Sequence, residues 1–175
     1  MHRLLVLLIF WLLTGCGSIN LAETSLSSGQ TYGHSGHDYQ AIPIRTQLLA
    51  ETHHIDNFRI LVGPELVTDI ICKPSPGYLA GVSSIVKFSY RLEDFTFFGE
   101  CGAGPTYLSV QTHEQGNPGF NFIDQLGGGV EYRFTERLSL GVKYRYSHVS
   151  HAGLRDAPNH GIDAHSGFVS FKFDF

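Results

Sequence analysis

His148 and Ser150 stand two residues apart, and Asp163 follows downstream. In an extended chain residues two apart lie on one face, so the imidazole of His148 can take the proton of the Ser150 hydroxyl. That turns a weak nucleophile into a strong one. A carboxylate on the same surface holds the imidazole in the tautomer this needs. The chemistry implied is nucleophilic catalysis by a Ser-His-acid triad of Ser150, His148 and Asp163. The competing reading makes the three ordinary rim residues, polar where an apolar surface ends.

The elements that would position them alternate in polarity. Leu138 to Ser150 carries Leu138, Leu140, Val142, Tyr144 and Tyr146 on one side, with Ser139, Gly141, Lys143, Arg145 and Ser147 on the other. The segment ending the chain repeats the split, with Val169, Phe171, Phe173 and Phe175 against Phe168, Ser170, Lys172 and Asp174. Aromatic and aliphatic residues outward with charge inward is the pattern of a membrane barrel strand. Continued upward, the apolar faces reach His148 and Ser150 on one strand and His165 and Asp163 on the next. If the two strands are hairpin partners, Asp163 lies beside His148.

Further alternating segments occur near Tyr39 to Leu48, Asn57 to Ile70, Leu79 to Arg91, Phe95 to Ser109 and Phe120 to Phe134, and no window holds a helical period. That makes seven strands. Single-chain bacterial barrels have an even number, so an eighth is expected before Tyr39, in or near the polar stretch Ser25 to His37. The expected fold is all-β, an eight-stranded antiparallel transmembrane β-barrel of the bacterial outer membrane. Tight connections at Leu92 to Asp94 and Thr135 to Arg137 would face the periplasm. Long ones at Ile71 to Tyr78, Val110 to Gly119 and His151 to Ile162 would face outward. A soluble sandwich or lipocalin-like barrel is the structural rival, because alternation alone does not say which face meets lipid.

With 175 residues the chain suits one domain. A short basic start, His2-Arg3, precedes an apolar run from Leu4 to Leu13, too brief to span a bilayer as a helix and typical of an export signal. Residues 1–22 are therefore read as signal and 23–175 as the barrel domain. Two cleavage sites compete: a lipobox, Leu13-Thr14-Gly15-Cys16, which would make the product a lipoprotein lipidated at Cys16, and a small-residue site at Asn20-Leu21-Ala22. The lipobox is favoured. Cys72 and Cys101 are the other cysteines and could pair in an oxidising compartment. A net charge of −4 without a basic cluster offers no nucleic-acid footprint.

The segment Tyr144 to Leu154, YRYSHVSHAGL, followed by Pro158 to Asp163, PNHGID, resembles the active-site region of the outer-membrane lipid A 3-O-deacylases, the PagL-type barrels. Gly99 to Ser109 and Phe120 to Tyr132 resemble that family's middle strands. The resemblance implies hydrolysis of an ester-linked 3-hydroxyacyl chain from lipid A of lipopolysaccharide by a serine esterase, with His148 as base, Ser150 as nucleophile and Asp163 as orienting acid. Lipid A and outer-membrane lipid would be its partners, with homodimerisation left open and no cofactor needed. The family acid is often glutamate, and the residue after the serine is typically asparagine, where this chain has His151. Asn159 matches a second family asparagine, so His151, Gly153 and Asn159 are the candidate oxyanion and supporting residues.

Two other readings carry less. His148, His151, His160 and His165 invite a zinc site, but no Cys or carboxylate joins them at a ligand spacing, and no metal is expected. Gly127-Gly128-Gly129 lacks the Lys-Ser/Thr of a phosphate loop. The alternative function is a non-catalytic small barrel, a surface adhesin or structural lipoprotein binding through its loops. Such a barrel has no reason to keep His148, Ser150 and Asp163 on one face.

Overall fold

The computed structural model describes residues 20–33, 39–156 and 158–175. They form eight antiparallel strands, β1 (Leu21–Gly33), β2 (Gln40–Ile55), β3 (Phe58–Lys73), β4 (Gly77–Leu92), β5 (Phe95–Leu108), β6 (Gly119–Arg133), β7 (Leu138–Ser150) and β8 (Ile162–Asp174). Each strand pairs with the next and β8 with β1, closing the barrel. Closure satisfies every strand's backbone groups, as a structure spanning hydrocarbon requires. The lipobox, Cys16 and most of the export signal lie outside the described residues.

The expected first strand exists as β1. It begins at Leu21, two residues ahead of the domain boundary read from the sequence. Its small polar residues, such as Ser25, Ser27 and Ser28, give it little contrast, and its place is set by pairing on both sides. Ser27 lies opposite Arg45 of β2 and Ser170 of β8.

The connection expected to be long at Ile71 to Tyr78 is short. β3 and β4 run on to Lys73 and Gly77, leaving three residues between them, because Ile70 and Ile71 still have partners in Tyr78 and Gly77. On the opposite end β2 continues past Leu48 to a two-residue turn at Asp56-Asn57, where Asp56 takes φ 52°. Cys72 and Cys101 are unpaired and exposed.

The barrel is polar inside and apolar outside. Glu23, Glu65, Asp69, Glu100 and Glu131 are buried in the interior with Arg45, Lys87, Lys143, Arg145 and Lys172. Leu26, Leu66, Val82, Phe97, Leu126, Val142, Tyr144, Val169 and Phe171 are exposed on the wall. A water-soluble barrel does the reverse, so this distribution removes the soluble rival. The strands have 13 to 16 residues, more than the roughly 9–11 that cross hydrocarbon, so their ends project beyond it.

The interior is filled by ion pairs. Arg145 Nη1 lies 2.8 Å from Glu65 and Nη2 2.5 Å from Glu100, and Gln47 donates to both carboxylates. Lys87 bridges Glu23 and Glu131 at 2.7 and 2.8 Å. Buried charges are tolerated only when paired in this way. Towards the outer end the lining turns apolar, with Ile71, Leu79, Leu108, Ile123, Val149 and Ile162 packed together. Val149 separates His148 from Ser150, and Ile162 precedes Asp163. This plug therefore anchors the backbone from which all three candidate residues project.

Candidate active site

β7 and β8 are hairpin partners, and their register sets His148 directly opposite Asp163. His148 Nδ1 lies 2.8 Å from Asp163 Oδ1, so the aspartate reaches the ring although it is shorter than a glutamate. Directly opposed residues are close enough at Cβ for the short side chain to suffice.

A carboxylate oxygen only accepts when ionised, so the pair places the imidazole proton on Nδ1 and leaves Nε2 as the basic nitrogen. Tyr146, one step down the same face, donates its hydroxyl to the same Oδ1 at 2.5 Å. Two donors thus converge on one oxygen. The Tyr146 ring in turn packs against His165, which lies opposite it on β8 and accepts or donates a further hydrogen bond with Tyr144. Parity identified the face, but the hydroxyl on Asp163 depends on ring lengths that alternation does not report.

Ser150 closes β7 on the outward side, opposite Phe122 of β6. Among the described residues its hydroxyl and the His148 ring are not hydrogen-bonded to one another. Catalytic hydrogen bonds commonly tighten only in the substrate complex. A second carboxylate, Asp124, lies opposite His148 on β6. His148 is thus flanked by acids on both neighbouring strands, and sequence reasoning named only one of them.

The loop after Ser150 turns sharply. Leu154 N–H donates to the His151 carbonyl at 2.9 Å, with Ala152 at φ 52° and Gly153 at φ 74° between them, a type I′ arrangement. The Gly153 N–H takes no part in that closing bond. His151 turns inward and is 0 % exposed. Its Nε2 is 3.0 Å from the Pro158 carbonyl, which can only accept, and its backbone N–H donates to Asn159 Oδ1 at 3.1 Å.

Both N–H groups of His151 are therefore occupied, and the residue ties the outgoing and returning legs of the loop together. In this arrangement His151, one of the candidate oxyanion or supporting residues, holds the loop together. Asn159, with its oxygen committed to His151, keeps its Nδ2 hydrogens as donors. A buried inward-facing histidine follows from the strand parity of residue 151, which falls on the lumen side with Val149 and Ser147.

The returning leg is pinned a second time. His160 N–H donates to the Glu114 carbonyl of the β5–β6 loop at 3.0 Å, and the His113 and His160 rings stack at 6.4 Å between centroids. Of the four histidines that suggested zinc, His148 and His165 face outward from the strands, His151 faces inward, and His160 joins the neighbouring loop. Among the described residues no three His, Cys, Asp or Glu side chains converge as a metal-ligand set.

A family model described as lipid A 3-O-deacylase (PagL) matches residues 43–172. Among curated protein sequences none matches significantly. Solved structures similar to this chain include the outer membrane enzyme PagL, with a TM-score of 0.65 at 19% identity over 85% of this chain and 97% of that one. Neisserial surface protein A (NspA) gives 0.60 at 13% identity, over 88% and 96%. Ail, the attachment invasion locus protein of Yersinia pestis, gives 0.51 at 12% identity, over 89% and 99%. At these identities the likeness is one of fold, the small outer-membrane barrel.

Proposed function

Since the chain belongs to the lipid A 3-O-deacylase family, an outer-membrane enzyme family that removes an acyl chain from lipid A, we propose that Ser150, His148 and Asp163 carry out this hydrolysis as a serine esterase triad. The observation that carries the proposal is the hydrogen bond between His148 Nδ1 and Asp163, on the same outward face as Ser150.

Ser150 Oγ attacks the ester carbonyl carbon while Nε2 of His148 takes its proton. The negative charge that develops on the carbonyl oxygen is met by the Gly153 N–H and the Asn159 amide, and each such donor is worth about 10²–10³ in rate. The tetrahedral intermediate collapses by breaking the bond to the sugar oxygen, which receives the proton from His148. A water molecule, deprotonated by His148, then attacks the acyl-serine, and the hydroxy acid leaves. Asp163 stays ionised throughout and stabilises the imidazolium. No cofactor enters these steps.

The position of the triad suits this substrate. The three side chains stand on the outer wall above Val142, Tyr144 and Val169, exposed apolar residues, so a lipid whose acyl chains lie along the wall brings its ester linkages to the level of Ser150. An adhesin or structural barrel would be expected to use its loops instead, and membership of an enzyme family disfavours that reading.

Maturation at Cys16 is also proposed. Asn20 and Ala22 carbonyls accept from Glu51 N–H at 3.2 Å and Phe175 N–H at 3.1 Å. Cleavage before Cys16 keeps both acceptors, whereas cleavage after Ala22 removes them from the start of the barrel. A mass measurement on the mature N-terminus distinguishes the two.

The test of the activity is mass spectrometry of lipid A after incubation of lipopolysaccharide with detergent-solubilised protein. Wild type removes one hydroxyacyl chain and Ser150→Ala removes none. Equal removal by Ser150→Ala would exclude Ser150 as the nucleophile.

A further inference from the structure

Gly161 lies one residue before β8 begins, in the returning leg of the loop. Continuing the β7–β8 register, which pairs Val149 with Ile162, brings Gly161 level with Ser150 and on the outward face shared by Asp163 and His165. A side chain there would occupy space already taken. A Cβ built on Gly161 falls 2.2 Å from Cε1 of His148, 2.9 Å from Nε2 and 3.0 Å from Nδ1. The imidazole of His148 therefore leans across the hairpin and fills the place of the side chain that residue 161 does not have. Gly161 itself is buried and holds φ 80°, a conformation that favours glycine.

Building on the assignment of His148 as the base, we propose that Gly161 is a positioning residue whose bare backbone seats the His148 imidazole. The ring is held at Cβ by the chain, at Nδ1 by Asp163 and across Cε1 by Gly161. These three constraints resist rotation about Cβ–Cγ and keep Nε2 at the height of Ser150. The seat is itself fixed, because its neighbours Asn159 and His160 are hydrogen-bonded to His151 and Glu114. The β5–β6 loop thereby reaches the catalytic base indirectly, through His160 and then Gly161.

The test is a cycle of Gly161→Ala, His148→Ala and the double variant, each full-length and refolded in detergent. Unfolding midpoints are followed by far-UV circular dichroism and deacylation by mass spectrometry. Misplacing a catalytic group by about an ångström costs on the order of a hundredfold. Gly161→Ala is expected to lose about that much in kcat with KM unchanged, and to lower the midpoint.

In the His148→Ala background, where the ring is gone, the same substitution should lower the midpoint distinctly less. If Gly161→Ala does not fold while the double variant does, the seat is supported by that alone. An equal fall in both backgrounds, a failure to fold in both, or kcat within threefold of wild type would overturn it, leaving backbone strain at φ 80° as the whole effect. Activity surviving in His148→Ala would instead refute the assignment of the base, and the stability cycle would still report on the contact.

Discussion

Replacing Asp163 by Asn separates the charge of the orienting acid from its shape. The amide is nearly isosteric and has one oxygen and one NH2. If the oxygen takes the place of Oδ1, it still accepts from His148 Nδ1 and Tyr146, and only the charge is lost. If the NH2 faces His148, the ring must accept at Nδ1 and carry its proton on Nε2, which removes the base.

In the first case the loss is the attraction between carboxylate and imidazolium in the transition state. With charge centres about 4 Å apart, this is worth about 1 kcal/mol at the dielectric of water and about 4 kcal/mol at an effective value of 20. The two side chains are 36% and 39% exposed, so the pair lies between those limits. At about 1.4 kcal/mol per decade this corresponds to a fall of roughly fivefold to a thousandfold in kcat, less than the roughly 10⁴ lost in a deeply buried triad.

The assay is the initial rate of hydroxy acid release from lipopolysaccharide in mixed micelles, with folding checked by the mobility of unheated protein on a gel. A folded Asp163→Asn with kcat within threefold of wild type would refute the role of Asp163. The remaining carboxylate beside His148, Asp124, would then be the acid to examine.

Three further outcomes follow from the geometry. Tyr146→Phe removes one of the two donors on Asp163 and leaves the His148 contact, so kcat should fall by between about twofold and a hundredfold with KM unchanged, the range of a neutral to charge-assisted hydrogen bond of roughly 0.5–3 kcal/mol. Arg145→Ala takes from Glu65 and Glu100 the guanidinium that both share in the interior, and breaking a buried pair costs about 3–5 kcal/mol; urea unfolding in detergent should show that loss as a lower midpoint. Val142→Arg puts a charge on the lipid-facing wall and should cost about 2–4 kcal/mol in the same measurement in lipid vesicles, whereas Val142→Leu should be neutral.

The fold was largely legible because the two environments of a barrel strand impose a period of two. In β7 and β8 mostly small polar or charged residues meet the lumen and apolar or aromatic ones meet lipid, and that alternation carried the face of His148, Ser150 and Asp163 with it. β1 was illegible for the same reason inverted. Ser25, Ser27 and Ser28 are small enough for either face, and the strand is held by neighbours on both sides that it does not itself specify. The β3–β4 connection was misjudged because Ile71 to Tyr78 contains two prolines and a glycine, residues that mark a loop, while the pairing of Ile70 with Tyr78 and of Ile71 with Gly77 is a register between two strands that the alternation within either one does not report.

The amino-acid order by itself determined the class of structure and the face on which the proposed catalytic groups stand, since both follow from residue types at fixed spacing along one strand. Only the tertiary structure decided which residues surround them. Gly161 under the His148 ring, Tyr146 on Asp163 and Asp124 across β6 all depend on register between strands or on loop backbone with positive φ. Neither leaves a periodic trace.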